Sequence, residues 1–341
     1  MPSAALPLQV EQITPEWLGA SMSTPGREVR VRAASTTGVV WGTATKVMLD
    51  VVYASGGDEL PSRLCVKGGF VPEMLAFMAP GYQAEARFYR DVAPLLGEGL
   101  SACHFAGVDD DSGQGIVILD DLATQGAAFC DARQPLSVDQ VGAALELLAR
   151  WHARTDLDVD WLDAPPHYRP MAYALAAEQR DGRTDNLHGA VGRVLTSRER
   201  LLAGFQAMWA DEDRRPRRFI HGDANLTNVY LDAAGEPRFL DWQFAGRGDA
   251  YHDVAFFLIG ALSSEDRRSA EERLLRSYLA ARGSAAETFD VAWDAYRRHA
   301  LYGIIYALTP EAMQPAEIRD AMSIRFAQAV LDHNVLSLLG V

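Results

Sequence analysis

An aspartate, an amide five residues later and a second aspartate beyond a short hairpin carry the clearest chemistry in this 341-residue chain. They are Asp223 and Asn228 in His221-Gly222-Asp223-Ala224-Asn225-Leu226-Thr227-Asn228, and Asp241 in Phe239-Leu240-Asp241-Trp242. Phosphoryl transfer from a nucleotide needs such a set. One carboxylate orients the attacking hydroxyl and accepts its proton, while an amide oxygen and a second carboxylate hold magnesium against the phosphates. Each residue is common alone; the ordered set between two apolar runs is specific. Asp223 is the candidate base. Asn228 and Asp241 are candidate ligands for Mg2+, a hard cation that prefers oxygen and keeps some of its water. His221 reads as a brace for the loop. Asp253, ahead of the apolar run from Val254 to Ile259, reads as a helix cap or a second brace, and Asp249 as a cap.

A cation for the phosphates comes from composition. Lys46 and Lys67 are the only lysines, so thirty of the 32 basic residues are arginines. Arginine and lysine are not interchangeable, and a lysine retained in such a chain points to a place where a compact ammonium is required. Lys67 lies in the strand-like Arg63-Leu64-Cys65-Val66-Lys67, where it can reach nucleotide phosphates. Glu85, eighteen residues on in a helical pattern, is its candidate ion-pair partner. Lys46 reads as a solvent-facing strand residue. Gly38 and Gly42 sit in a turn between strand-like runs, where the backbone can approach phosphates, although taken alone such a pair more often marks a plain hairpin.

The elements that must position these groups follow from pattern. Thr14-Pro15-Glu16-Trp17-Leu18 has the cap, proline and first-turn acid of a helix start. Val47, Leu49, Val51 and Tyr53 alternate as in a strand. Ser55-Gly56-Gly57-Asp58 is a turn. A helix is expected from Gly81 to about Val92, ending at Pro94. Gly115-Ile116-Val117-Ile118-Leu119-Asp120-Asp121-Leu122 reads as a buried strand where one lobe hands over to the next. Backbone near Leu119, Asp120 and Leu122 is placed to read an adenine edge. Helical spacing dominates from Val138 to His152, from 195 to 210 and from about 264 onward, and His152 reads as a core histidine. The proline- and glycine-bearing stretch 164–190 is expected to be a mobile flap.

The net charge of −14 argues against a nucleic-acid binder, which needs a basic face. No apolar run is long enough to cross a bilayer, so no membrane partner is expected. Met1-Pro2-Ser3-Ala4-Ala5-Leu6-Pro7 lacks the regions of a signal peptide and reads as a loose tail. Cys65, Cys103 and Cys130 are few and scattered, which fits reduced thiols in a cytoplasmic protein better than disulfides or a zinc site.

With His221-Gly222-Asp223, Asn228 and Asp241-Trp242-Gln243 in place, the chain resembles the aminoglycoside phosphotransferase and choline-kinase-like family, close to its ecdysteroid-kinase-like branch. The resemblance runs from the Trp17 helix to the final helices and is strongest over 219–257. It implies an α+β, bilobal protein-kinase-like fold. Residues 1–122 would form a nucleotide-binding lobe with an antiparallel sheet and the Glu85 helix, with a hinge near 118–122. Residues 123–341 would form a larger, mostly helical catalytic lobe. It also implies ATP as donor and magnesium as cofactor. Only residues 242–252 separate Asp241 from Asp253, with no Ala-Pro-Glu after them, so a long peptide-presenting segment is lacking and a small hydroxylated acceptor is expected. Trp242, Tyr251, His299, Tyr302 and Tyr306 are candidates for a pocket around it, the last three sharing a helix face; ordinary packing of the helical lobe is the competing explanation. A nucleotide-binding protein without catalysis is the alternative function, and a protein kinase a weaker one.

Overall fold

The computed structural model describes residues 5–97, 99–164, 168–178, 189–195, 197–311 and 313–341. The chain divides into two compact units. The first runs to Ala127 and takes in Leu240–Gln243; the second comprises Ala128–Phe239 and Phe244–Val341. The division thus falls at Ala127 rather than at Leu122, and a short segment around Asp241 belongs with the first unit.

In the first unit, helix α1 (Pro15–Met22) is capped by Thr14, whose side-chain oxygen accepts the Trp17 amide at 3.2 Å. Strands β1 (Arg30–Val40), β2 (Thr45–Ser55), β3 (Arg63–Gly68), β4 (Cys103–Asp109) and β5 (Gln114–Asp120) form an antiparallel sheet in the order β1-β2-β3-β5-β4. Alternation along the strands divides its faces. Val47, Leu49, Leu64, Val66, Ile116 and Ile118 join Trp17, Leu18 and Met22 in one apolar core. On β3 this leaves Cys65 and Lys67 pointing to the other face. The expected loose tail is in part packed: Leu6 enters that core, and the Pro7 carbonyl accepts a hydrogen bond from Gln114 at 2.8 Å. Residues 1–4 lie outside the described residues.

Helix α2 (Pro72–Arg87) contacts β5. It begins well before Gly81, the expected start, because Pro72 supplies a preset first turn. It does not stop before Pro94 either. A wider π-type turn, Phe88–Val92, leads into the short α3 (Ala93–Leu96), and the chain turns off at Gly97 with φ +78°. Pro94 sits in the first turn of α3, where its missing N–H costs little. Gly115 sets the approach of α2: a Cβ there would lie 2.1 Å from the Tyr82 carbonyl oxygen.

The second unit holds α4 (Val138–His152), α5 (Tyr168–Ala177), α6 (Ala190–Val194), α7 (Arg198–Glu212), α8 (Ala250–Ala261), α9 (Ser264–Arg282), α10 (Phe289–His299), α11 (Ile305–Leu308), α12 (Ala316–Asp332) and α13 (Val335–Leu338). Every residue of α8 is buried, as befits a helix apolar on most of its circumference. Helices α4, α9, α10 and α12 pack around it. Two small sheets accompany them: β7 (Arg218–Ile220) with β10 (Gly246–Gly248), and β6 (Ala128–Phe129), β8 (Val229–Leu231) and β9 (Pro237–Phe239). Within the expected flap, 168–177 is helical, while 165–167 and 179–188 lie outside the described residues. No helix among the described residues is long and apolar enough to cross a membrane.

The packing of α2 on β5 leads to a stability prediction. Gly115→Ala will force α2 off the sheet and lower stability by about 2 kcal/mol or more, the scale of an overpacked core. Gly38→Ala, with nothing within 4 Å of its Cβ, will leave the unfolding free energy from urea titration within about 0.5 kcal/mol of the parent. Equal midpoints for the two variants would refute this account of the helix–sheet contact.

Candidate active site

Three side chains from distant stretches of sequence meet inside the first unit. Lys67 of β3 places its ammonium 2.7 Å from Glu85 Oε2 of α2 and 2.9 Å from Asp241 Oδ1. The lysine side chain is only 4% exposed, so the charge cannot rely on water. Burial pushes its pKa down, but Asp241 and Glu85 outweigh that and hold it above the ordinary lysine value. Lys67 therefore stays protonated. The Trp242 amide donates to Glu85 Oε1 at 3.3 Å, and the Gln243 side-chain amide donates to Asp241 Oδ1. Asp241 adopts φ +70°, a left-handed conformation that costs a non-glycine residue of order 1 kcal/mol. Lys46 is half-buried and lies opposite Lys67 in the β2–β3 register, so it is less open to solvent than expected.

Gly38 is a half-buried residue of β1 beside a bulge, and Gly42 lies in the turn to β2. Neither has a positive φ or a neighbour that a Cβ would strike, so the local fold alone does not demand glycine there. Leu119 and Asp120 end β5, and Leu122 opens the following 3-10 turn. Asp120 accepts from His104 Nε2 and from Gln125, each at 2.7 Å.

The loop between β7 and β8 builds a second arrangement, in the second unit. Both carboxylate oxygens of Asp223 accept side-chain amides: Asn225 Nδ2 at 3.0 Å and Asn228 Nδ2 at 2.8 Å. Asn228 Nδ2 also donates to the Asp223 carbonyl at 3.0 Å, so its amide nitrogen is committed to that residue. Asn225 was not singled out from sequence; an amide two residues after an aspartate is the signal, because that spacing lets the side chain fold back on the loop.

Below the loop, Asp253 of α8 accepts the His221 amide at 2.6 Å and the Gly222 amide at 2.9 Å, with His152 Nε2 at 3.2 Å. It is the brace that the sequence offered as one of two roles. Burial pushes its pKa up, but the His152 hydrogen bond and the neighbouring histidines outweigh this and leave it below the ordinary carboxylate range. Tyr278 lies 2.8 Å from His152 Nδ1, so His152 is a satisfied core histidine. His252 donates through Nε2 to the Gly222 carbonyl at 3.1 Å, and burial lowers its pKa to about 4. Asp249 caps α8 through the Tyr251 amide at 3.0 Å.

The five residues expected around an acceptor are buried, not on an open wall. Trp242 is 0% exposed and stacks on Phe88 at 3.8 Å in the first unit. The Tyr251 hydroxyl donates to Glu287. His299 ends α10, Tyr302 opens a 3-10 turn and Tyr306 lies in α11, so they sit on three short segments instead of one helix. They nevertheless converge on α8: His252 meets His299 and Tyr302, and Phe256 meets Tyr302 and Tyr306. Burial first, and then the charge of Asp223, raise the pKa values of Tyr302 and Tyr306. Burial also pushes the Cys65, Cys103 and Cys130 thiols up, to about 11, 12 and 11. No group of three or more His, Cys, Asp or Glu among the described residues could hold a metal alone.

The model of a phosphotransferase enzyme family matches residues 75–297. No curated protein sequence matches the chain. Among solved structures, a choline kinase from Streptococcus pneumoniae superposes with TM-score 0.52 at 12% identity, covering 89% of this chain and 94% of its own. An ethanolamine kinase from Plasmodium vivax gives 0.53 at 9%, covering 92% and 87%. The AMP-bound complex of a spectinomycin phosphotransferase gives 0.52 at 12%, covering 98% and 99%. At these identities the likeness establishes the kinase-like fold, with its five-stranded sheet and helix followed by a mostly helical part. An ecdysteroid-kinase-like branch is not distinguished.

Asp253→Asn tests the brace. Asparagine has one acceptor oxygen where the loop needs two, so an amide nitrogen will face a donor. Destabilisation of about 1–3 kcal/mol is expected at pH 7. Because the folded pKa of Asp253 is depressed, its contribution is present above the ordinary aspartate pKa of about 3.9 and fades as pH falls through its lower folded value. The gap between parent and variant in urea midpoint should therefore narrow below about pH 4. A gap absent at pH 7 would refute the role.

Proposed function

The chain belongs to the phosphotransferase enzyme family, and we propose that it is an ATP- and magnesium-dependent kinase acting on a hydroxyl of a small molecule. The observation that carries this reading is the fixed carboxylate of Asp223, each oxygen oriented by an asparagine amide. Phosphoryl transfer passes through a loose transition state, so a protein contributes mainly positioning and charge balance. Asp223 aligns the acceptor hydroxyl and takes its proton as the new oxygen–phosphorus bond forms and the bond to ADP breaks. Amides hold that carboxylate without neutralising it. Lys67 offsets charge on the donor phosphates. Magnesium, when bound, would neutralise further phosphate charge, with Asn228 and Asp241 as its oxygen donors.

A small acceptor is supported by the shortness of the stretch from Asp241 to α8, which provides no long platform for a peptide. The structural relatives named above act on choline, ethanolamine and spectinomycin, by their names. Their shared feature is a small hydroxylated substrate, and it is that class which is proposed here.

The test is magnesium-dependent ADP release from ATP across amino sugars, choline-like amines, nucleosides, macrolides and steroids, with product mass checked for one added phosphate. Asp223→Asn should cut turnover about a hundredfold or more while leaving nucleotide affinity within a few-fold. Chelation of magnesium should abolish release. Normal turnover in Asp223→Asn would remove that residue from the base role, and ATP binding without a phosphorylated product from any acceptor would favour a binding protein.

A further inference from the structure

A polar cavity lies in the second unit, and Asp223 is not among its lining residues. It measures about 270 Å³ and is lined by Asp163, Arg169, Glu212, Asp213, Arg217, Gly248 and Asp249. Gly248 pairs with Arg218, and β7 must run from there to Ile220 before the loop begins at His221. The cavity thus opens at the far end of the β7–β10 pair from the catalytic loop.

Its hydrogen bonding is incomplete in one direction. Glu212 is 2% exposed; its Oε1 is engaged by the Tyr168 hydroxyl and, at 3.0 Å, by Arg169. Its Oε2 has no hydrogen-bond partner. Asp249 is 3% exposed and spends Oδ1 on the Tyr251 amide; Oδ2 has no hydrogen-bond partner, with Arg215 Nε 3.4 Å away in poor alignment. Beside it, His299 Nδ1 donates to the Ala295 carbonyl at 2.9 Å, and its Nε2 lies 3.8 Å from Asp249 Oδ2. Two buried carboxylate oxygens, Glu212 Oε2 and Asp249 Oδ2, therefore lack a hydrogen-bond donor. The two cavity arginines do not meet this need. Arg169 is taken by Glu212 Oε1 and Asp213, and Arg217 by the carbonyls of Ala164 and Arg247.

We propose that this cavity binds a small organic cation, an alkylammonium or guanidinium, whose N–H groups bridge Glu212 and Asp249. Such a group brings several donors and a positive charge to the two buried carboxylates that line the cavity. The volume lies just under the roughly 300–1,000 Å³ of pockets that hold drug-sized ligands, which limits the ligand to a short chain. The site goes beyond the phosphotransferase reading and does not depend on it. A path to the loop exists nonetheless: Tyr168, bonded to Glu212, stacks on His252 at 3.9 Å, and His252 holds the Gly222 carbonyl.

Calorimetric titration of the full chain, without nucleotide, tests it with agmatine and 1,4-diaminobutane as probes and 1,4-butanediol as the uncharged control. One-to-one binding of a cationic probe is expected, with the diol at least about tenfold weaker. Glu212→Gln should weaken the probe about tenfold, equivalent to about 1.4 kcal/mol. Should that variant fail to fold, Asp213→Asn at the rim should still weaken it a few-fold. Asp223→Asn should leave it unchanged. Overturning results are equal binding of diol and diamine, no binding at tens of millimolar, or a loss that follows Asp223 instead of Glu212.

Discussion

Burying an ammonium in a β-sheet imposes demands that shape the whole first unit. Lys67 is shut away from water on the face of β3 opposite the apolar core, and a charge so placed must find opposite charge close by. Glu85 can supply it only if α2 lies flat against the sheet. That approach is permitted by Gly115, whose missing side chain leaves room for the Tyr82 carbonyl. Asp241 supplies the second carboxylate only if Leu240–Gln243 returns to this unit from more than a hundred residues downstream. Trp242 fastens that return by stacking on Phe88 and by donating its amide to Glu85. One buried cation thus joins a strand, a helix and a distant turn.

The second unit solves a related problem with a helix. α8 is wholly buried, yet its first turn carries His252 and Asp253, with Asp249 capping it. Each of these polar groups faces the loop that precedes it in sequence or the cap of its own helix. Asp253 gathers the amides of His221 and Gly222, and His252 holds the Gly222 carbonyl. The loop that carries Asp223 is therefore bound from below, on both its donors and its acceptor, by the most deeply buried helix of the unit. Asparagines then orient the carboxylate from within the loop. Rigidity comes from α8, and direction from Asn225 and Asn228.

Much of this was legible in the sequence, for identifiable reasons. The acid–amide–acid order drew attention to the β7–β8 loop, where Asn225 and Asn228 hold Asp223, and to Asp241, which is tied to Lys67. Lys67 stood out because arginine had replaced lysine almost everywhere else. The sheet and the core helices announced themselves through period, and α1 through its Thr14 cap. What escaped depended on partners far away in the chain. The first turns of α2 carry too irregular a pattern to betray a helix, and no local pattern in Phe88–Val92 marks the π-type turn. Trp242 looked like a pocket wall because nothing local reveals the Phe88 ring beneath it. His299, Tyr302 and Tyr306 kept a common face despite breaks in the helix, since what aligns them is the surface of α8.

Asp241 shows why such a site resists inference from pattern alone. Its left-handed backbone is disfavoured for an aspartate, and no glycine or turn motif in Leu240-Asp241-Trp242-Gln243 advertises it. The conformation persists because the flanking residues are pinned: Trp242 by its stack and amide bond, Gln243 by its bond to the carboxylate, Asp241 itself by Lys67. The strain, of order 1 kcal/mol, is small beside the cost of leaving Lys67 buried with one carboxylate fewer. Backbone geometry at this residue is thus set by the electrostatics of the buried ammonium, the same requirement that holds strand, helix and returning turn together.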